Sequence, residues 1–241
     1  MTHYAEEDLL KLQQWDTPSI CNGLEIICPE RRAYGFTTEP LVCLDPTLPP
    51  VVGYARTATI RAAVPSASSE TDDKALRLNY YEYVAKGLGN ENINTTGPSV
   101  VVIEDLDSSP GFGAFWGEVN TNIHLGLGTK GVVTNGSMRD LSDSAAGLQL
   151  LAGQVGPSHA YVHLVDFANT VTVNNMTVSS GEIIHMDQHG AVVVPPEAVT
   201  ALPAALELIS RREAVIINAA QSSDFSFEKL RDAMADATDI H

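Results

Sequence analysis

Apolar positions recur with a helical period in some stretches of this chain and with a strand period in others, and the changes of period mark out its elements. Residues 6 to 27 read as two helical pieces split at Asp16-Thr17-Pro18-Ser19, where Asp16 or Thr17 can cap and Pro18 suits a first helical position. Residues 28 to 50 are weakly patterned and Pro-rich, ending in Leu48-Pro49-Pro50. Val51 to Val64 reads as extended, with Thr57, Thr59 and Ile60 supplying β-branched side chains. Ala75, Leu76, Tyr80, Val84 and Leu88 recur at roughly helical spacing and predict a helix over Thr71 to Leu88.

Val100-Val101-Val102-Ile103, within Ser99 to Glu104, is the unbroken apolar run of a strand buried on both faces, and Gly131 to Thr134 is a second short one, followed by a turn at Asn135-Gly136. Between them, Gly111 to Gly128 reads as loop and then helix. Strand, helix, strand at this spacing predicts a right-handed crossover with parallel strands, and ligands in such layouts gather beyond the carboxyl ends of the strands. Farther on, His159 to Phe167, Val171 to Val173, Thr177 to Val178, Ile183 to His185 and Ala191 to Val194 read as short antiparallel or mixed strands, with turn pairs at Asn174-Asn175 and His189-Gly190. From Pro196 the chain turns helical (Ala198 to Ala219), breaks at Gln221-Ser222-Ser223-Asp224, and ends in an amphipathic piece over Phe227 to Met234. The class is α/β, with one domain over residues 1–220 and a helical tail over 221–241.

Composition narrows the function. With 241 residues, 44% hydrophobic and 18% charged, one large core is the default. A net charge of −16 argues against nucleic acid, and it means that an anionic substrate needs a local cation or local arginines. Cys21, Cys28 and Cys43 form neither a disulfide framework nor a zinc spacing and read as reduced. The acidic opening Met1 to Asp8 has no signal-peptide pattern and no apolar run reaches membrane-spanning length, so the expected location is the cytoplasm.

The candidate chemistry lies in an acid, Glu118, followed after twenty residues by the adjacent Arg139-Asp140. Two carboxylates can hold a hard divalent cation, while a guanidinium and free helix N–H groups receive an anion, which together suit an organic acid. Singly, each residue has a plainer reading: a helix-favoured acid for Glu118, an N-cap of a helix over Leu141 to Leu151 for Asp140, a surface ion pair for Arg139. Their common spacing and the Gly-rich entry at Pro110-Gly111-Phe112-Gly113 lift them together. The same glycines, Gly111, Gly113 and Gly117, imitate a dinucleotide fingerprint, but bulky Phe115 and Trp116 would crowd a pyrophosphate. His159 and His163, with Tyr161 between them, and His185 and His189, bracketing Asp187, are pairs for which core or turn roles are favoured, with one of them as a potential acid or base at the site.

Gly117-Glu118, then Arg139-Asp140 led in by Gly131-Val132-Val133-Thr134-Asn135-Gly136-Ser137-Met138, resembles the class II pyruvate aldolases that cleave 4-hydroxy-4-methyl-2-oxoglutarate and 4-carboxy-4-hydroxy-2-oxoadipate, a superfamily that includes the regulator of ribonuclease E activity A. The similarity runs from about Asp16 through Gly53 and the Val100 strand to Ser180-Gly181-Glu182 and Gly190 to Pro195. It implies a swivelling β/β/α domain with C-terminal helices, a homotrimer or homohexamer with shared sites, and Mg²⁺ or Mn²⁺. It implies Asp140 as direct metal ligand, Glu118 as a ligand through water, Arg139 on the keto or enolate oxygen, and backbone N–H groups of Gly117, Glu118, Val119 and Asn120 on the substrate carboxylate. Asp140 is the residue that the regulatory members lack. Asn135 departs from the usual Asp, Ser158 to His163 replaces a Phe-Ala-Arg-Gly run, and the tail beyond Ala219 is longer than usual. The resulting expectation is a metal-dependent lyase that cleaves a 4-hydroxy-2-oxo acid to pyruvate and a second carbonyl compound through an enolate, with Arg139 stabilising the enolate oxygen, a metal-bound water held by Glu118 moving the proton, and oxaloacetate decarboxylation as a related activity. The alternatives are a non-catalytic ring-shaped regulator, or another metal-dependent lyase or isomerase on a 2-oxo acid.

Overall fold

The computed structural model describes residues 6–87 and 97–240, so Leu88, expected to close the third helix, lies outside the described residues. The chain opens with helices α1 (Glu6–Leu12) and α2 (Thr17–Ile27), then a two-residue strand β1 (Val42–Cys43), the long strand β2 (Val51–Arg61) and helix α3 (Glu70–Lys86). The middle is β3 (Ser99–Asp105), β4 (Ala114–Trp116), α4 (Glu118–Gly126), β5 (Thr129–Met138) and β6 (Gln149–Val155). There follow β7 (His163–Phe167), the hairpin β8 (Val171–Val173) and β9 (Met176–Val178), then β10 (Ile183–Asp187), β11 (Gly190–Val194), α5 (Leu202–Ala220) and α6 (Phe227–Thr238).

Local chemistry sets the helix starts. Asp16 caps α2 by accepting from the Ser19 N–H at 2.9 Å, with Pro18 in the first turn where its missing donor costs nothing. Ser69 caps α3 by accepting from the Asp72 N–H, and Glu70, Asp72 and Asp73 place negative charge against the helix's positive end.

Nine strands form one curled sheet in the order β1-β6-β5-β3-β2-β10-β11, with β4 added beside β5 and β7 beside β2. The central strands β2, β3, β5 and β6 are parallel, as the crossover reading predicts, while β1, β7, β10 and β11 join antiparallel. Curling comes from β2, whose residues 51–54 pair with β10 and whose residues 58–61 pair with β7. Strand alternation then sorts the apolar run: Val101, Ile103, Val132 and Leu150 pack with Tyr80, Tyr83 and Trp116, whereas Val100, Val102, Val133 and Leu151 pack with Val171, Val173 and Met176 of the hairpin. Asn174 and Asn175, both at positive φ, make the tight turn of that hairpin. A third cluster packs Leu9, Leu12, Ile20, Leu24, Leu202 and Leu206 from α1, α2 and α5 over Val192 and Val194. At the C-terminus, Ala233 and Ala237 of α6 are buried and the Arg212 guanidinium of α5 donates to the Ile240 carbonyl.

The fold class is the expected one, α/β with C-terminal helices, and four details differ. Asn135-Gly136 is no turn: β5 runs on to Met138, because the Asn135 carboxamide pairs with both the N–H and the carbonyl of Asp105 and extends the contact with β3. No helix covers Leu141 to Leu151; turns there lead through Gly147, at φ 87°, into β6. The strand expected from His159 begins only at His163, after a turn carrying Ala160 at φ 46°. The long helix after Pro196 starts at Leu202, preceded by a single 3-10 turn.

Candidate functional site

Helix α4 starts at a residue with no side chain of its own to cap it. Gly117 is the N-cap residue, so the first-turn N–H groups, which lack intrahelical partners, face the end of β5. There the chain leaves the sheet as Arg139-Asp140, tied to β4 by the Arg139 N–H donating to the Trp116 carbonyl at 2.8 Å. Asp140 adopts φ 52°, a left-handed conformation that Asp tolerates better than most residues. Its carbonyl accepts from the N–H groups of Asp143 and Ser144, closing the turn that turns its carboxylate back toward α4. One oxygen, Oδ2, accepts from the Glu118 N–H and lies near Arg139 Nε, both at 3.3 Å. Carboxylate, guanidinium and helix N-terminus therefore meet, as the spacing of Glu118, Arg139 and Asp140 predicts.

They open on a cleft of about 470 Å³ lined by Gly117, Val119, Asn120, Arg139 and Asp140 together with residues that the sequence reading did not single out for it. Arg77 and Tyr81 enter from α3, and Phe115, Ile123 and Val162 supply apolar wall. Burial pushes the Tyr81 phenol up, and the Arg77 guanidinium pulls it the other way. Tyr81 donates to Asn120 Oδ1 at 2.8 Å, while Asn120 Nδ2 donates to the Phe115 carbonyl, so the Asn120 side chain is committed to holding the first turn of α4. Glu118, exposed on that turn, is not among the residues lining the cleft.

On the buried face of α4 sits His124, fully buried, with Nδ1 donating to the Asn120 carbonyl and Nε2 accepting from Tyr80 of α3 at 2.8 Å. Burial lowers its pKa to about 4, so it is a neutral strut between α3 and α4. The i, i+4 spacing of Asn120 and His124 was the available sequence signal for this strut.

The other histidines separate. His159 lines the cleft; His163 does not, and the turn at Ala160 breaks their expected alternation. His185 is enclosed between Thr17 Oγ1 at 3.0 Å and the Leu12 carbonyl at 3.2 Å, with its pKa lowered by burial to about 4. Asp187 accepts from the Thr17 and His189 N–H groups and from His189 Nδ1; burial opposes its ionisation, but these bonds outweigh it and hold the carboxyl below its ordinary range. Both are structural, clasping the start of α2.

The Gly-rich loop is not a phosphate cradle. The Asp105 carboxylate accepts the Gly111 N–H at 2.7 Å, Gln154 donates to the Gly111 carbonyl, and β4 intervenes before the helix. Among the described residues, no three His, Cys, Asp or Glu side chains cluster as a closed metal cage requires. Nor is any described helix long and apolar enough to cross a membrane.

The RraA-like family model (Aldolase/RraA) matches residues 17–193. The chain belongs to the RraA-like family. That family joins aldolases and RraA proteins under one fold. Among solved structures, an uncharacterized protein from Pseudomonas syringae pv. tomato is 22% identical with a TM-score of 0.71, covering 96% of this chain and 95% of its own. Streptomyces coelicolor RraAS2, described as an unusual member of the RNase ES inhibitor RraA family, is 18% identical with a TM-score of 0.67, covering 89% and 97%. These likenesses establish the swivelling α/β fold. No curated protein matches the sequence at a significant level.

Proposed function

We propose that the chain is a divalent-metal-dependent carbon–carbon lyase, cleaving a 4-hydroxy-2-oxo acid to pyruvate and a second carbonyl compound through the pyruvate enolate, with oxaloacetate decarboxylation as a related activity. The observation that carries this reading is the meeting of the Asp140 carboxylate, the Arg139 guanidinium and the uncapped start of α4 at one cleft. The first-turn N–H groups of Val119 and Asn120 receive the substrate carboxylate, the Glu118 N–H being engaged by Asp140. Arg139 places positive charge where the enolate oxygen develops, stabilising the transition state more than the ground state. Phe115, Val119, Ile123 and Val162 bound the reacting carbons with apolar surface.

Asp140 is the carboxylate that lines the cleft and would hold a cation directly, while Glu118, exposed on the first turn of α4 outside the lining, would reach such an ion only through water; these hard oxygens suit Mg²⁺ or Mn²⁺, which keep much of their shell for water and substrate oxygens. When bound, such an ion supplies Lewis-acid polarisation of the keto oxygen. As in the trimeric arrangement that the family resemblance implies, a neighbouring copy in a homotrimer or homohexamer completes the cleft; the setting is cytoplasmic and the partner a small 2-oxo acid. A ring-shaped regulator accounts for the fold but not for a conjunction of Arg139, Asp140 and free helix donors. Pyruvate release from a panel of 2-oxo acids, with and without Mg²⁺, tests the proposal. A pure, folded protein that releases none from any of them refutes it.

A further inference from the structure

We infer that His159 is the base that removes the substrate's 4-hydroxyl proton, a role that rests on the lyase reading above and adds a residue to it. Among the described residues His159 is the histidine that lines the cleft, which it shares with Arg139, Asp140, Arg77 and Tyr81. Its Nδ1 lies 2.8 Å from the Ala160 carbonyl. A carbonyl only accepts, so Nδ1 carries the hydrogen, and Nε2 of the neutral ring keeps a lone pair.

The backbone that presents this ring is held from several sides. The Ala114 N–H donates to the Ser158 carbonyl at 2.9 Å, the Ala160 N–H to Ser158 Oγ at 3.0 Å, the Tyr161 N–H to the Ala62 carbonyl at 3.1 Å and the Val162 N–H to the His159 carbonyl at 3.0 Å. Ala160 sits at φ 46°, a conformation that costs a residue with a Cβ about 1–2 kcal/mol and persists only where the surroundings enforce it. Gly113 permits the close approach: a Cβ there would lie 2.5 Å from the His159 carbonyl oxygen. Strained backbone, fixed tautomer and a place in the cleft thus converge on one imidazole. Among the described residues, the other histidines lack this combination. His124 and His185 have both nitrogens engaged in the core, and His189 is bound to Asp187.

In the proposed step the C4 hydroxyl gives its proton to Nε2 and the O–H electron pair becomes the C4–O π bond. The C3–C4 bond breaks, and its pair forms the C2–C3 double bond as the C2 carbonyl pair moves to oxygen. The second carbonyl compound departs, and the imidazolium returns its proton to C3, giving pyruvate and neutral His159. Nothing is oxidised and no co-reactant is consumed. Oxaloacetate, in contrast, loses carbon dioxide without any hydroxyl proton to remove.

The two reactions therefore separate the role of His159 from the function of the site. With 4-hydroxy-4-methyl-2-oxoglutarate and oxaloacetate as probes in the presence of Mg²⁺, His159→Gln should lower the ratio of cleavage to decarboxylation by roughly a hundredfold or more. Added imidazole should restore part of the cleavage in His159→Ala, and His163→Gln should leave the ratio at the wild-type value. In ¹⁵N spectra of histidine-labelled protein, the signals missing from His159→Gln should show protonated Nδ1 and bare Nε2. An unchanged ratio, an equal fall in both reactions or an Nε2-protonated neutral ring overturns the assignment of His159 alone. Wild-type protein that releases pyruvate from neither probe overturns the lyase reading and this inference together.

Discussion

Gly117→Ala separates the geometry of the site from the stability of the fold. Gly117 has φ −166°, extended backbone open to any residue, so alanine meets no conformational barrier there. The obstacle is steric and lies in the site: a Cβ at this position would stand 2.5 Å from Asp140 Oδ2, 3.2 Å from Arg139 Cγ and 3.4 Å from Arg139 Nε. Carbon and oxygen settle at no less than about 3.3 Å, so the carboxylate must retreat by close to 1 Å. That movement breaks its hydrogen bond to the Glu118 N–H, already long at 3.3 Å, and shifts Arg139 with it. Because the displaced atoms end flexible, partly exposed side chains, the fold loses little: exchanging Gly for Ala at an N-cap costs roughly 1 kcal/mol, or about 2–4 °C in Tm for a chain of this size. Activity should suffer more, since a 1 Å misplacement costs on the order of a hundredfold in rate. Pyruvate release and thermal melting on the same preparation measure both effects. A variant with near-wild-type turnover shows that the placement of Asp140 against α4 is unimportant, and a variant that fails to fold shows that the steric argument misjudged where the strain goes.

Arg139→Ala should depress kcat by roughly a hundred- to a thousandfold, with Arg139→Lys recovering only part of it; unchanged kcat in a folded variant removes Arg139 from the chemistry. Exhaustive chelation should abolish turnover and Mg²⁺ or Mn²⁺ should restore it, whereas full activity after chelation removes the ion from the mechanism. Light scattering should give a trimer or a multiple of one, and a stable, active monomer contradicts a shared cleft. Burial holds the pKa values of His124 and His185 at about 4 against an ordinary 6.5, so both are neutral in the folded protein while the unfolded chain gains protons below 6.5. Stability present above pH 6.5 should therefore fall toward pH 4, with each histidine contributing up to about 1.4 kcal/mol per pH unit. Urea unfolding at several pH values measures this, and a flat profile between pH 6.5 and 5 counts against it.

The parts of this molecule legible in the sequence are those specified by local pattern. The Val100 to Ile103 run, the Asp16 cap with Pro18 and the Asn174-Asn175 turn each carry their own instruction, and all three appear as read. The reading failed where a tertiary partner overrides that pattern. Asn135-Gly136 has the composition of a turn but continues a strand, because the Asn135 carboxamide finds the Asp105 backbone. Leu141 to Leu151 has apolar spacing that a helix shares with a buried strand, and the open edge of β5 claims its last three residues, Gln149 to Leu151, for β6. At the candidate site, the approach of Arg139 and Asp140 to the start of α4 was legible because one crossover unit brings both ends of the Glu118 to Asp140 interval together, although Glu118 itself does not line the cleft. Arg77 and Tyr81 were hidden, since only the packing of α3 over the sheet delivers them to the same cleft.

The left-handed backbone at Asp140 bears on how such a protein changes over generations. Of the uncharged residues other than glycine, asparagine best accepts this conformation, and the codons for aspartate and asparagine differ by one base. A single mutation can thus delete the carboxylate while the turn through Asp143 and Ser144, built on the residue 140 carbonyl, stays in place. Chemistry at this position is cheap to lose and shape is not. A lineage that drops the negative charge still inherits an intact molecular surface, ready for selection on contacts with other macromolecules alone.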